Sequence, residues 1–268
     1  MEFIKPGTHF DFVGKMKIAV GLSAVLIIAS ILSVVLHGGL NFGIDFAGGT
    51  VIQIKFSKAA PADGIRKAFA GINVSDAIIQ EIGENEVIVR TNQSMTKELQ
   101  DKVEGAMTSQ FGAGQFEIRR VEFVGPKVGK DLTNKAILAI IFAWIGMLIY
   151  IAWRFEFRYG LGAIIALIHD TIIVIGVLSL LNKEFTLVIV AALLTVIGYS
   201  INDTIVVFDR IRENRKKDLK KSLGDLINSS INETLSRTIL TAFTVILVLL
   251  SLFFLGGPVI HDFAFALL

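Results

Sequence analysis

Apolar residues gather into five long runs, at 18–36, 136–153, 159–181, 185–208 and 238–255, and almost all charge lies between them. Each run has 18 to 24 residues. At about 1.5 Å of helix rise per residue, that is enough to cross a hydrocarbon core about 30 Å thick. Together the runs cover 102 of the 268 residues yet hold two of the 50 charged side chains, Asp170 and Asp203. The pattern predicts a polytopic α-helical membrane protein and excludes a soluble enzyme. The run at 18–36 reads as an uncleaved first span: it is too long for a signal peptide, its basic leader of 17 residues is unusual for one, and no A-x-A site follows. After the fifth run, Gly256, Gly257 and Pro258 predict a turn. Residues 263–268 then begin another apolar run too short to span, so a sixth span cut short is expected there in preference to an interfacial stub.

The intervening segment 37–135 has shorter periods. Residues 50–57 alternate like a strand, with Ile52, Ile54 and Phe56 on one face. Pro61 suits a helix start, followed by an apolar face of Ile65, Ala68 and Phe69. Residues 75–83 and 86–92 read as a hairpin turning at Gly83, Glu84 and Asn85. Leu99, Val103, Met107 and Phe111 recur at helical spacing, and 116–124 is a last strand whose alternation breaks at Arg119 and Arg120, as a bulge would break it. The order is βαββαβ, the ferredoxin-like arrangement, in a small α+β domain.

Composition sharpens the picture only a little. Mean hydropathy is +0.66 and net charge +2, too small to suggest nucleic acid as a partner. No cysteine is present, which removes disulfides, thiolate nucleophiles and Cys-ligated metals. Placement of the basic residues says more. With a cytoplasmic N-terminus, segments 1–17, 154–158 and 209–237 lie inside and carry 3, 2 and 8 basic residues, against Lys183 alone in the opposing loop 182–184. The segment 37–135 is then extracytoplasmic. The basic loop 209–237 needs no ligand beyond this positive-inside bias, although anionic lipid or ribosomal RNA would also suit it.

Candidate chemistry starts with the charges inside the runs, because an Asp at mid-bilayer costs about 2.5–3.5 kcal/mol. Asp203 shares a helical stripe with Thr195, Tyr199 and Ser200, with Asn202 adjacent. It reads either as a carboxyl that takes up and releases protons or as a hydrogen-bonded packing contact between helices. Arg237 opens the fifth span, either as a snorkelling anchor or as a cation at Asp203's depth, able to hold that carboxyl ionised until a rearrangement parts them. Asp170, in the third span after His169, is either a second proton-relay carboxyl or a structural hydrogen bond to a neighbouring span. His169 alone reads as an interfacial or packing residue, and no metal site is expected. The stretch Gly125 to Lys130 is one residue short of a phosphate loop and has Asp131 where Ser or Thr belongs. The two intramembrane Asp lack the flanking residues of an aspartyl protease. No catalytic residues are assigned.

Two segments go beyond general physics. Leu40 to Thr50, reading LNFGIDFAGGT, resembles the Gly-Ile-Asp-Phe-x-Gly-Gly signature of the SecD/SecF protein-export family, with Gly43, Asp45, Gly48 and Gly49 at its fixed positions. Gly198 to Asn214, reading GYSINDTIVVFDRIREN, is similar to the fourth-span signature of that family's SecF members. The resemblance implies the resistance-nodulation-division superfamily, six spans where five are visible, and a heteromeric partner, SecD. It further implies association with the SecYEG channel and the cytoplasmic (inner) membrane, and use of the proton-motive force, with no cofactor, to draw preproteins outward. In that family a fourth-span Asp and a fifth-span Arg form part of the proton path; Asp203 and Arg237 match them. Gly43, Gly48, Gly49 and Gly125 are expected to give tight, unusual backbone where the outer domain joins the spans, with Asp45 fixing a turn. A proton-driven exporter of small molecules or lipids, and an assembly scaffold without proton chemistry, are the rival readings.

Overall fold

The computed structural model describes residues 9–268 except 59–61, 75–76, 83–84 and 95, and the side chains of Pro258 and Val259. Pro61 and the Gly83-Glu84 turn fall outside the described residues. In chain order the elements are α1 (Met16–Leu36), α2 (Ile44–Ala47), β1 (Gly49–Phe56), α3 (Ala62–Gly71), β2 (Ile78–Glu81), β3 (Glu86–Thr91), α4 (Lys97–Phe111), β4 (Phe116–Val124), α5 (Pro126–Arg154), α6 (Phe157–Leu180), α7 (Leu187–Lys217), α8 (Leu223–Leu255) and α9 (Pro258–Leu267). They form two units: Phe42–Ala136, and Met1–Asn41 with Ile137–Leu268.

The unit 42–136 is an antiparallel sheet of order β2-β3-β1-β4, the split βαββαβ arrangement. Strand alternation puts Ile52, Ile54 and Phe56 of β1 and Val87 and Val89 of β3 on its buried face. Helices α3 and α4 cover that face with Ile65, Ala68, Phe69, Val103 and Met107, closing one core. The β1–β4 register shifts between Gln53, opposite Arg120, and Ile54, opposite Ile118, so Arg119 is the extra residue of a bulge. The two adjacent Arg therefore do not turn the rest of β4 inside out.

In the second unit, α1, α5, α6, α7 and α8 are each long and apolar enough to cross a membrane. The α1–α6 contact uses small and polar residues, as expected where lipid offers no hydrophobic drive for helices to associate. Between α1 and α6, Gly176 faces Ser30, and the hydroxyls of Ser33 and Ser179, both buried, meet at 2.9 Å. Ile151, Ala163, Leu167, Ile197 and Ile201 join α5, α6 and α7 in a buried cluster.

The segment 209–237, expected as a loop, is helical except for 218–222. No Gly or Pro interrupts 209–217, so α7 continues past its apolar part and ends in Arg215, Lys216 and Lys217, where cations suit the helix dipole. Ser222 then caps α8, its hydroxyl accepting from the Asp225 N–H at 3.1 Å. Several of the charges pair instead of facing water alone. Asp209 takes Arg154 at 3.0 Å, Arg210 bonds both Glu213 and Glu233, and Asn214 donates to Ser230 at 3.1 Å and to Glu233 at 3.0 Å.

Candidate functional site

Asp203 lies on the part of α7 that faces α8, and two cavities open on it. One, of about 290 Å³, is lined from α7 by Val196, Tyr199, Ser200, Asn202 and Asp203. Its other walls are Thr241, Ala242, Val245, Ile246 and Leu249 of α8, with Leu267 and Leu268 at the end of α9. The other, of about 370 Å³, is lined by Asp203, Thr204, Val207 and Phe208 of α7 and by Ile231, Thr234, Leu235 and Thr238 of α8. The α8 wall is a ladder of threonines at 234, 238 and 241, spaced to share one helix face. Thr234 bonds back to Ser230 O at 3.0 Å, and Thr204 to Ser200 O at 3.0 Å, so these hydroxyls are satisfied without leaving their helices. Asp203 is half-buried between the cavities. A carboxyl in that position can exchange protons with either space while apolar side chains form most of the walls.

The expected stripe divides. Tyr199, Asn202 and Asp203 line the first cavity, but Thr195 is absent from its lining and bonds Ala191 O at 2.8 Å. Ser200 turns partly toward α6 and donates to Asp170 Oδ2 at 2.6 Å, the length of a hydroxyl on a carboxylate. Asp170 Oδ1 lies 2.8 Å from His169 Nδ1. Asp170 thus makes the interspan hydrogen bond that was one of its two readings, and His169 orients it. Residues three apart on a helix differ by about 60° around its axis, which lets Ser200 and Asp203 address different neighbours. The sequence signal for this was a carboxyl in the third span that needed a partner and a Ser in the fourth span that was given to the Asp203 stripe; which helix Ser200 would face was not legible.

Arg237 is exposed on α8, forms no ion pair with Asp203, and lines neither cavity. It stands on the flank of the threonine ladder, between Thr234 and Thr241 in sequence.

In the unit 42–136, the signature is a backbone device. Gly48 and Gly49 have φ of +76° and +114°, and a Cβ on Gly49 would sit 2.6 Å from Thr91 O. Only Gly accepts that combination. Gly43 and Gly125, expected to be unusual as well, are not: Gly43 is extended at φ −70°, and Gly125 is not in the left-handed region. Each precedes a helix start, which ordinary backbone satisfies. Asp45 lies in the first turn of α2. Gly129, discounted as part of a failed phosphate loop, is required instead by packing, since its Cβ would fall 2.8 Å from Phe46 O.

Residues 103–268 match the family of protein export membrane protein SecD/SecF, C-terminal, and residues 34–60 match the SecD/SecF GG motif. The chain is 48% identical to the protein translocase subunit SecF of Magnetococcus marinus, covering 100% of this chain and 88% of that one. It is 46% identical to the SecF subunit of Calditerrivibrio nitroreducens, over 100% and 90%, and 44% identical to that of Vibrio alginolyticus, over 100% and 85%. Among solved structures, SecDF of Thermus thermophilus, a translocon-associated membrane protein, superposes with a TM-score of 0.87 at 35% identity, covering 97% of this chain. SecDF in a super-membrane-facing form superposes with a TM-score of 0.68 at 36% identity, covering 100%. The chain spans only 36% of the length of either solved chain.

Proposed function

The chain belongs to the SecD/SecF family of protein export membrane proteins, and we propose from that premise that it works with SecD beside the SecYEG channel to promote preprotein translocation across the cytoplasmic membrane. The proton-motive force drives it and no cofactor takes part. The N-terminus is cytoplasmic and the unit 42–136 extracytoplasmic, an orientation supported by thirteen basic residues against one in the short loops.

The observation that carries the proton-driven reading is the placing of Asp203 between two cavities at the α7–α8 contact. A carboxyl bordered by two cavities is placed to exchange protons with either. One elementary charge crossing 100 mV releases about 2.3 kcal/mol, so a few protons per cycle suffice to bias a conformational equilibrium. Arg237 is assigned to the same path on the family's pattern of a fifth-span Arg with a fourth-span Asp, as the cation that pairs with Asp203 in another state of the cycle; in this structure it stands roughly 60° around α8 from Thr234.

The test is pulse-chase export of a secretory preprotein in cells carrying Asp203→Asn at wild-type membrane levels. Asn keeps the size and hydrogen bonding but cannot carry the charge. Export is expected to slow to the level of a strain lacking the chain; normal export would make Asp203 a packing residue and the subunit a scaffold.

A further inference from the structure

Asp170 and Asp203 sit on different helices, and Ser200 is the residue that touches the surroundings of both. Its hydroxyl donates to Asp170 Oδ2 at 2.6 Å, and it also lines the cavity of about 290 Å³ that Asp203 borders. That cavity is walled by α7, α8 and α9, with no residue of α6 in its lining. Asp170, an α6 residue, is thus hydrogen-bonded to a residue of this lining, Ser200. On its far side Asp170 is held by His169, whose Nδ1 lies 2.8 Å from Oδ1. With Asp170 as the carboxylate, Nδ1 is the donor in that contact. His169 Nε2 is buried without a hydrogen-bond partner among the described residues, so nothing competes for the imidazole's orientation. The titratable side chains lining the cavity are Tyr199 and Asp203.

We propose that Ser200 is a proton-conducting link between the Asp203 cavity and a second proton-storing carboxylate, Asp170, with His169 as the positioning residue. The proposal rests on the proton-driven reading above. In the step, a hydrated proton in the cavity bonds to a lone pair of Ser200 Oγ as the existing Oγ–H proton passes to Asp170 Oδ2. One O–H bond forms at Ser200 and one breaks, the carboxylate becomes the acid, and no net charge remains on the hydroxyl. Return of the proton reverses each bond change. His169 keeps Nδ1–H on Oδ1 throughout, which leaves Oδ2 as the oxygen that exchanges.

Proton flux decides the matter, measured with a pH-sensitive dye after an imposed gradient in inverted membrane vesicles that hold the full chain with its SecD partner at matched levels. Ser200→Ala and Asp170→Asn are each expected to lower flux roughly a hundredfold or more, the scale of a lost proton-transfer group. Ser200→Thr, which keeps a hydroxyl, is expected to restore most of it. The Ser200→Ala, Asp170→Asn double variant should be no worse than either single, because both break one link. Wild-type flux in Ser200→Ala, equal losses in the Ala and Thr variants, or additive losses in the double variant would each overturn the link. Asp203→Asn separates the two levels of argument. If it abolishes flux while Ser200→Ala does not, the link fails and the proton-driven reading stands. If Asp203→Asn itself leaves flux unchanged, the reading beneath the proposal has failed.

Discussion

A Cβ on Gly176 would occupy the space of Ser30 on α1, whereas a Cβ on Gly162, fourteen residues earlier on the same helix α6, would meet nothing within 4 Å. The pair makes a controlled comparison. Ala normally gains about 0.5–1 kcal/mol over Gly inside a helix. Gly162→Ala is therefore expected to be neutral or slightly stabilising, while Gly176→Ala pushes α1 from α6 and costs about 1–3 kcal/mol. Thermal unfolding of the detergent-solubilised chain checks both, and equal midpoints would show that the α1–α6 contact yields freely. The same residue-scale reasoning separates what the sequence could say about the site from what it could not. Asp203 was legible because a carboxyl in an apolar run needs a reason. The split between Ser200 and Asp203 was not, because a helical stripe fixes angle on one helix and leaves the identity of its neighbours open.

At the scale of elements, the N-terminal segment is tied to α8 by two asparagines. Asn228 Oδ1 accepts from the N–H groups of Phe12 at 2.8 Å and Val13 at 3.2 Å, and its amide donates to Phe10 O at 3.0 Å. Asn232, one turn on, accepts from Phe10 N–H at 2.8 Å and donates to Phe10 O at 2.9 Å. Each amide thus uses both its ends on backbone that no strand or helix satisfies. Replacing both by Ala should release this segment while leaving α8 helical. Amide hydrogen exchange at Phe10, Phe12 and Val13 is expected to accelerate, each lost bond being worth about 1 kcal/mol. Unchanged exchange would mean the segment is held by something else. Neither clamp could be found from periodicity, since Asn228 and Asn232 lie in the stretch that charge and polarity marked as loop. Helix in that stretch is decided by tertiary partners: Glu233 and Asn214 join α8 to α7 there, and Asp209 joins α7 to Arg154 of α5. Where hydrophobic alternation is strong, as in β1, or where an apolar stripe recurs, as at Val103 and Met107, the element and its inward face followed directly from the sequence, whereas for β3 the element followed and its face did not.

Across the whole molecule, the two units depend on different solvents. The bundle leaves many large apolar side chains exposed, including Ile18, Val25, Ile28, Phe142, Ile165 and Leu255, which only lipid or further helices can cover. The unit 42–136 is built like a water-soluble domain. Its core residues Ile52, Ile54, Ile65, Phe69, Val87, Val89 and Met107 are each at most 1% exposed, and they are drawn from two strands and both helices. Two close backbone approaches are satisfied within the unit too: the signature's Gly49 closes on Thr91, and Gly129, outside the signature, on Phe46. A segment with its own core and its own backbone closures is expected to fold without the spans. Residues 42–136 expressed alone should therefore give a monomer with dispersed amide resonances and one cooperative thermal transition. Met107→Ala, which empties the centre of the α4 face, should cost about 2–5 kcal/mol in that fragment. Each kcal/mol lowers the midpoint by roughly 4–8 °C in a domain of this size. Gly49→Ala should also destabilise it, because φ of +114° and the Thr91 carbonyl both oppose a side chain there. A fragment that stays unfolded, or whose transition ignores Met107→Ala, would mean that the sheet is stable only when tethered to the bundle. The glycine signature would then serve attachment to the spans instead of the domain's own fold.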